Sequence, residues 1–217
     1  MLAWLLSEDP TFHPLYNMPR CLYNTYPPPD HPYLHATSAF SATLQLYVRS
    51  AQLDTADVRH RRLGDTALCC RLGCAAIETA HHLFVQCPAF AEIRASHLQG
   101  LVLATSDLSV AEPPHVGEAL CAIARHLFSD DADIWPQLRS LYYLGALPSI
   151  ALLCRLRNVA VSDQVLVRVA HLWHTHSIRL AAHIWAELKR GLRRQSFSAS
   201  STTALQVYLP EHLSYLL

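Results

Sequence analysis

Apolar residues recur along this chain at helical spacing, in blocks separated by Pro, Gly and short polar runs. Phe40, Leu44, Tyr47, Val48 and Ala51 fall three and four apart behind Ser38. That pattern predicts a helix with one apolar stripe and Ser38 as its N-cap. A shorter helix over ADVRHRR follows, with Asp54 or Thr55 as cap and Gly64 as stop. Pro88 suits the first position of the next helix, with Cys87 at its N-cap, Ile93 and Leu98 turned inward, and Gly100 at its end. Residues 101–114 are polar, close in Glu112-Pro113-Pro114, and read as a connection. Three further helices are expected over 116–128, 134–144 (stopped by Gly145) and 148–159. The clearest period belongs to a long helix after Ser162, where Leu166, Val169, Trp173, Leu180, Ile184 and Leu188 share a face and Ser162 or Asp163 supplies the cap. Gly191 offers its stop, and Lys189, Arg190, Arg193 and Arg194 lie at the end where the helix dipole favours cations.

The two ends read differently. Residues 7–37 carry seven prolines among tyrosines, which forbids a long helix or a central strand. The expectation is a Pro/Tyr-rich leader over 1–37, a helical zinc-knuckle region over 38–100, a helical bundle over 101–195, and a Ser/Thr-rich linker with an apolar tail over 196–217. The fold class is then mainly α: an irregular helical domain of about six to eight helices with a small Cys/His knuckle and a Pro-rich leader.

Composition agrees. Of 217 residues, 51% are hydrophobic and 16% charged, enough apolar content for a core and too little charge for a disordered chain. Gly is scarce at 6 residues, which favours helices over a turn-rich β fold. Lys+Arg and Asp+Glu both total 17, so a broad basic surface for nucleic acid is excluded and any such contact needs a local patch. No run approaches 18 apolar residues and no signal peptide is evident, so the expectation is an intracellular protein without a membrane span. In a reducing compartment clustered cysteines bind metal more often than they pair.

The chemistry concentrates in LCCRLGCAAIETAHHLFVQCPAF, where Cys69, Cys70, Cys74, His81, His82 and Cys87 fall within 19 positions. Thiolate and imidazole are the ligands tetrahedral zinc prefers. The set Cys70, Cys74, His82 and Cys87 gives C-x3-C followed by H-x4-C, with Gly73 placed to turn the first loop. Cys69 is an alternative to Cys70, and His81 to His82. His82 and Cys87 would not share a face of an unbroken α-helix, so that helix is expected to end near Val85 or Gln86. Cys87 at a helix N-terminus is expected to have a lowered thiol pKa. Glu78 and Thr79 precede the first helix, where a carboxylate suits the dipole. Four protein ligands leave no open position, so the Zn2+ is structural and its ligand atoms should converge within about 4 Å.

These residues resemble a known family. Cys70, Cys74, Glu78, Thr79, His82, Leu83, Cys87 and Pro88, followed by AFAEIR with Arg94, resemble the zinc-binding domain that lies C-terminal to reverse transcriptase or RNase H modules in non-LTR retrotransposons. The likeness spans residues 53–94 and departs from the family's C-x2-C in having C-x3-C. It implies a retroelement-derived zinc module without the polymerase and nuclease parts.

Asp130, Asp131 and Asp133 are read as a turn or cap before Ile134 rather than a two-metal catalytic site. His171, His174 and His176 are read as exposed helix histidines, since no acid follows His171 to act as base. The expected role is therefore non-catalytic, with no small-molecule substrate and no membrane partner. RNA or DNA is the candidate partner through Arg59, Arg61, Arg62 and Arg71. The alternative is a helical interaction or scaffold domain that meets a protein partner, with the zinc site purely structural.

Overall fold

The computed structural model describes residues 38–135 and 138–208, with side chains described as far as 194. The leader over 1–37 and the tail beyond 208 lie outside the described residues. Helix α1 spans Ala39–Arg49 and begins as expected, with Ser38 Oγ accepting the Ser41 N–H. Leu44 and Val48 of its stripe are buried, whereas Phe40 and Tyr47 stay half exposed. Helix α2, Ala56–Leu63, stops at Gly64, whose φ of 69° is the left-handed conformation glycine adopts without strain. Its N-terminus is capped from a distance: Glu78 Oε1 accepts the Ala56 N–H at 3.1 Å, and the Glu78 carbonyl accepts the Asp57 N–H at 3.3 Å.

After the metal-candidate loop a 3-10 turn, Pro88–Phe90, leads into α3, Ala91–Leu108. Pro88 does open the turn, but α3 runs through Gly100 and takes up most of the stretch read as a connection. The reason is burial. Leu101 and Thr105 are both fully enclosed, and Thr105 Oγ1 accepts the Trp173 indole N–H at 3.0 Å. Those contacts outweigh the roughly 1 kcal/mol that an internal glycine costs a helix.

Helix α4, Pro114–Ala124, is followed by turns rather than by more helix. The helix expected over 134–144 is absent from its described residues, and a 3-10 turn, Tyr142–Leu144, stands at its end. Side chains take over the backbone there. Ser140 Oγ and Trp135 Nε1 both donate to the Leu127 carbonyl, and Asp130 accepts the Ser140 N–H. Gly145 does act as the stop, at φ 79°. Helix α5 is Ile150–Leu156.

The long helix α6 spans Asp163–Tyr208 and continues past Gly191 through much of the expected linker. Its four basic residues therefore lie mid-helix. Val169, Trp173, Leu180, Ile184 and Leu188 are buried along one face, and Ser162 Oγ accepts the Val165 N–H as cap. Helix α3 packs along α6, α1 and α4 flank the pair, and one core joins them, with Trp173 and Tyr142 among its largest fully enclosed side chains. Among the described residues no β-strand forms, and no helix is long and apolar enough to cross a membrane.

Candidate metal centre

Cys70, Cys74, His82 and Cys87 converge. One ligand atom from each lies within 4.8 Å of all the others. Cys74 Sγ is 3.6 Å and Cys70 Sγ 4.0 Å from Cys87 Sγ. A zinc tetrahedron has edges of about 3.5–3.8 Å, so the 3.6 Å edge already matches, the 4.0 Å edge is slightly long, and the widest must contract by about 1 Å. That widest edge exceeds the 4 Å expected. The sulfurs are too far apart for a disulfide, and all are free thiols.

The geometry chooses between the alternative ligands. Cys69 forms an isolated antiparallel bridge with Ile77, which turns its side chain to solvent while Cys70 turns inward. His81 is used elsewhere: its Nε2 lies 2.9 Å from Asp130 Oδ2, and its Nδ1 3.4 Å from the Tyr143 hydroxyl. His82 is also buried, and its Nε2 has no hydrogen-bond partner. A buried imidazole with an unpartnered nitrogen, gathered with three thiols, is a donor set that could hold a metal ion.

His82 and Cys87 meet by a different device from the expected helix break. Residues His82–Gln86 form a π-helical turn, closed by the Cys87 N–H donating to the His82 carbonyl at 2.6 Å. A turn closed from i to i+5 is wider than an α turn and brings residue i+5 nearly above residue i. The H-x4-C spacing is thus met within one turn. Leu83 and Phe84, both fully buried, drive that turn into the core. Tyr142 donates to the Phe84 carbonyl at 2.7 Å, and Tyr143 stacks on the Phe84 ring.

Glu78 anchors the other half of the site, a role the sequence reading did not assign. Its carboxylate is fully buried and gathers donors from three directions. Besides Ala56 N–H, it takes the Arg71 backbone N–H at 2.8 Å and the Arg71 guanidinium at 2.6 and 2.8 Å. The strand-like edges of the loop close around it through Cys70 N–H to Ala76 O and Glu78 N–H to Leu68 O. Gly73 turns the loop tip at φ 88°. Glu78 therefore serves the dipole of α2 rather than that of the helix it precedes, while Thr79 Oγ1 caps that helix by accepting the His82 N–H.

Burial governs the charges of the ligands. It pushes the Cys70 thiol up and the Cys87 thiol up to about 12, and it pushes His82 down. The lowered Cys87 pKa expected from a helix N-terminus is thus not found, because desolvation dominates there. A thiolate in this place needs a cation. Arg94 stands ready for a partly compensated site: Nη2 donates to the Cys87 carbonyl at 2.9 Å, and Nη1 is buried without a partner. Three thiolates around Zn2+ leave one net negative charge, which that guanidinium complements.

The arginines singled out for nucleic acid are separated by their partners. Arg71 is committed to Glu78 and to the Asp54 carbonyl. Arg59 pairs with Asp65 and Asp54, and Arg61 with Asp57. Arg62 alone of the four is exposed with no carboxylate partner among the described residues. The acidic trio forms a turn, as expected: Asp130 binds His81, Gln86 and Ser140, and Asp131 accepts the Asp133 N–H. Among the described residues the only group of three or more ligand side chains that can hold a metal ion is the Cys/His set. No family model, no curated protein and no solved structure matches this chain.

Proposed function

We propose that this chain is a non-catalytic zinc-binding module, derived from a retroelement, in which Cys70, Cys74, His82 and Cys87 hold one structural Zn2+. The observation that carries the reading is the buried His82, its Nε2 without a partner and one of its ring nitrogens gathered with three thiols. A buried polar atom without a partner costs about 1–3 kcal/mol, and a bound ion removes that cost. The donor set fits zinc, since sulfur and imidazole nitrogen select a tetrahedral ion of intermediate softness. Four protein ligands leave no site for a water nucleophile, so the ion's contribution is to fold residues 64–90 onto the core.

The likeness to retroelement zinc domains supports the same reading at the level of roles. Glu78 fixes the cysteine loop, Thr79 caps the histidine turn, and Pro88 opens the next one. Nucleic-acid contact is not included, because three of the four candidate arginines already face carboxylates. Cobalt substitution tests the proposal. Tetrahedral d–d bands with thiolate charge transfer, lost in His82→Ala and in Cys87→Ser but kept in Cys69→Ser, are expected. A spectrum of octahedral solvated cobalt in the wild type would overturn it.

A further inference from the structure

A second group of imidazoles lies on the seam between α3 and α6, away from the cysteine loop. His97 of α3 and His183 of α6 face each other, with His97 Nε2 and His183 Nδ1 at 3.0 Å and ring centroids at 5.3 Å. His176, two turns before His183 on the same helix, rests beside Gly100, three residues after His97. We propose that His97 Nε2 and His183 Nδ1 form a second site, one that takes a divalent transition metal of square-planar or octahedral preference, such as Ni2+ or Cu2+.

The separation selects the class of ion. Two nitrogens in adjacent positions at about 2.1 Å from a metal and 90° apart stand about 3.0 Å from each other, whereas a tetrahedral ion spreads them to about 3.4 Å. The pair is only half buried, so solvent completes the coordination. Glu187 biases the tautomer through its charge, at a distance beyond a hydrogen bond. Its Oε1 lies 3.7 Å from His183 Nε2, which favours a proton on Nε2 and leaves the Nδ1 lone pair directed at His97. In the metal-free pair the His97 Nε2–H donates to that lone pair. On binding, the His97 proton moves to Nδ1 and both facing nitrogens become ligands, with no net proton released. Burial, reinforced by His183, His176 and Arg179, holds the His97 pKa below the usual histidine value, so the ring is neutral at pH 7.

Equilibrium dialysis of the zinc-loaded full chain against NiCl2, with nickel and zinc measured together by mass spectrometry, tests the site. One nickel per chain at micromolar free nickel is expected, with zinc unchanged. His97→Gln and His183→Gln should each weaken nickel uptake at least tenfold, while His115→Gln leaves it intact. Uptake equal in all variants, or no uptake, overturns the site whatever the zinc content. Broadening of ring-proton resonances in the wild-type chain gives a readout independent of variants: His97 and His183 should broaden first, and earlier broadening elsewhere would contradict the assignment.

Discussion

Glu78→Ala tests whether the cysteine loop is held by a buried carboxylate. The substitution strips Arg71, whose side chain is only 19% exposed, of a fully buried partner. Breaking such a pair costs about 3–5 kcal/mol, because the surviving charge stays mostly buried and keeps only the Asp54 carbonyl at 2.6 Å and the half-exposed Asp54 carboxylate at 3.9 Å. Two backbone donors, Ala56 N–H and Arg71 N–H, lose their acceptor as well, at about 1–3 kcal/mol each where water cannot reach them. Water entering the space left by the side chain recovers part of this, so a net loss of about 4–6 kcal/mol is expected. Glu78→Gln keeps one acceptor oxygen and should lose less, about 2–4 kcal/mol. Urea denaturation of the zinc-loaded protein reads the stability, and competition with a chromophoric chelator reads the metal affinity. Both should fall together, since the same carboxylate positions Cys70 and Cys74. A change under about 1 kcal/mol in Glu78→Ala would refute the reasoning, as would a loss of stability with zinc affinity unaltered.

Other outcomes follow from the same contacts. Cys74→Ser and Cys87→Ser should lower the melting temperature far more than Cys21→Ser, and added zinc should not restore it; equal effects of all three would reduce the cluster to ordinary core. Binding to mixed-sequence DNA across a salt series should show a contribution to the slope from this patch no steeper than about −1, because of the four candidate arginines only Arg62 lacks a carboxylate partner among the described residues, and a contribution near −4, read as the change in slope when all four are replaced, would mean the ion pairs give way to phosphate. Burial lowers the pKa of His97 and His176 in the fold, so the unfolded chain binds more protons as pH drops below about 6.5. Stability is then fully present above that pH and falls as the pH drops through the folded pKa values. Urea midpoints at pH 7.5 and 5.5 should differ less in a His97→Gln, His176→Gln variant, and an unchanged difference would contradict the assignment.

The helical class and the ligand quartet were legible because each rests on a local regularity. Apolar spacing shows one buried face of α1 and α6, and C-x3-C with H-x4-C shows ligands that a short loop and one turn can gather. What stayed hidden was long-range. Gly100 and Gly191 read as stops, yet tertiary burial of Leu101, Thr105 and their neighbours carries α3 onward, and α6 also continues past its glycine. The segment over 134–144 has helical periodicity, but Asp130, Trp135 and Ser140 bind backbone groups in competition with a helix. The π turn at His82–Gln86 had a visible signal, an i,i+5 ligand spacing that an α-helix cannot satisfy. The same spacing is also compatible with the helix break expected near Val85 or Gln86, and the π turn satisfies it without one. The pairing of Arg71 with Glu78 had none beyond the two residues themselves, since no local rule distinguishes an internal arginine from one that meets phosphate.

Metal content of the purified full-length protein tests the central claim most directly. Native mass spectrometry should find one zinc ion per chain, retained in Cys69→Ser and His81→Gln and absent from Cys70→Ser and His82→Ala. A wild-type chain that is folded and carries no metal, or that keeps its zinc without His82, would contradict the account.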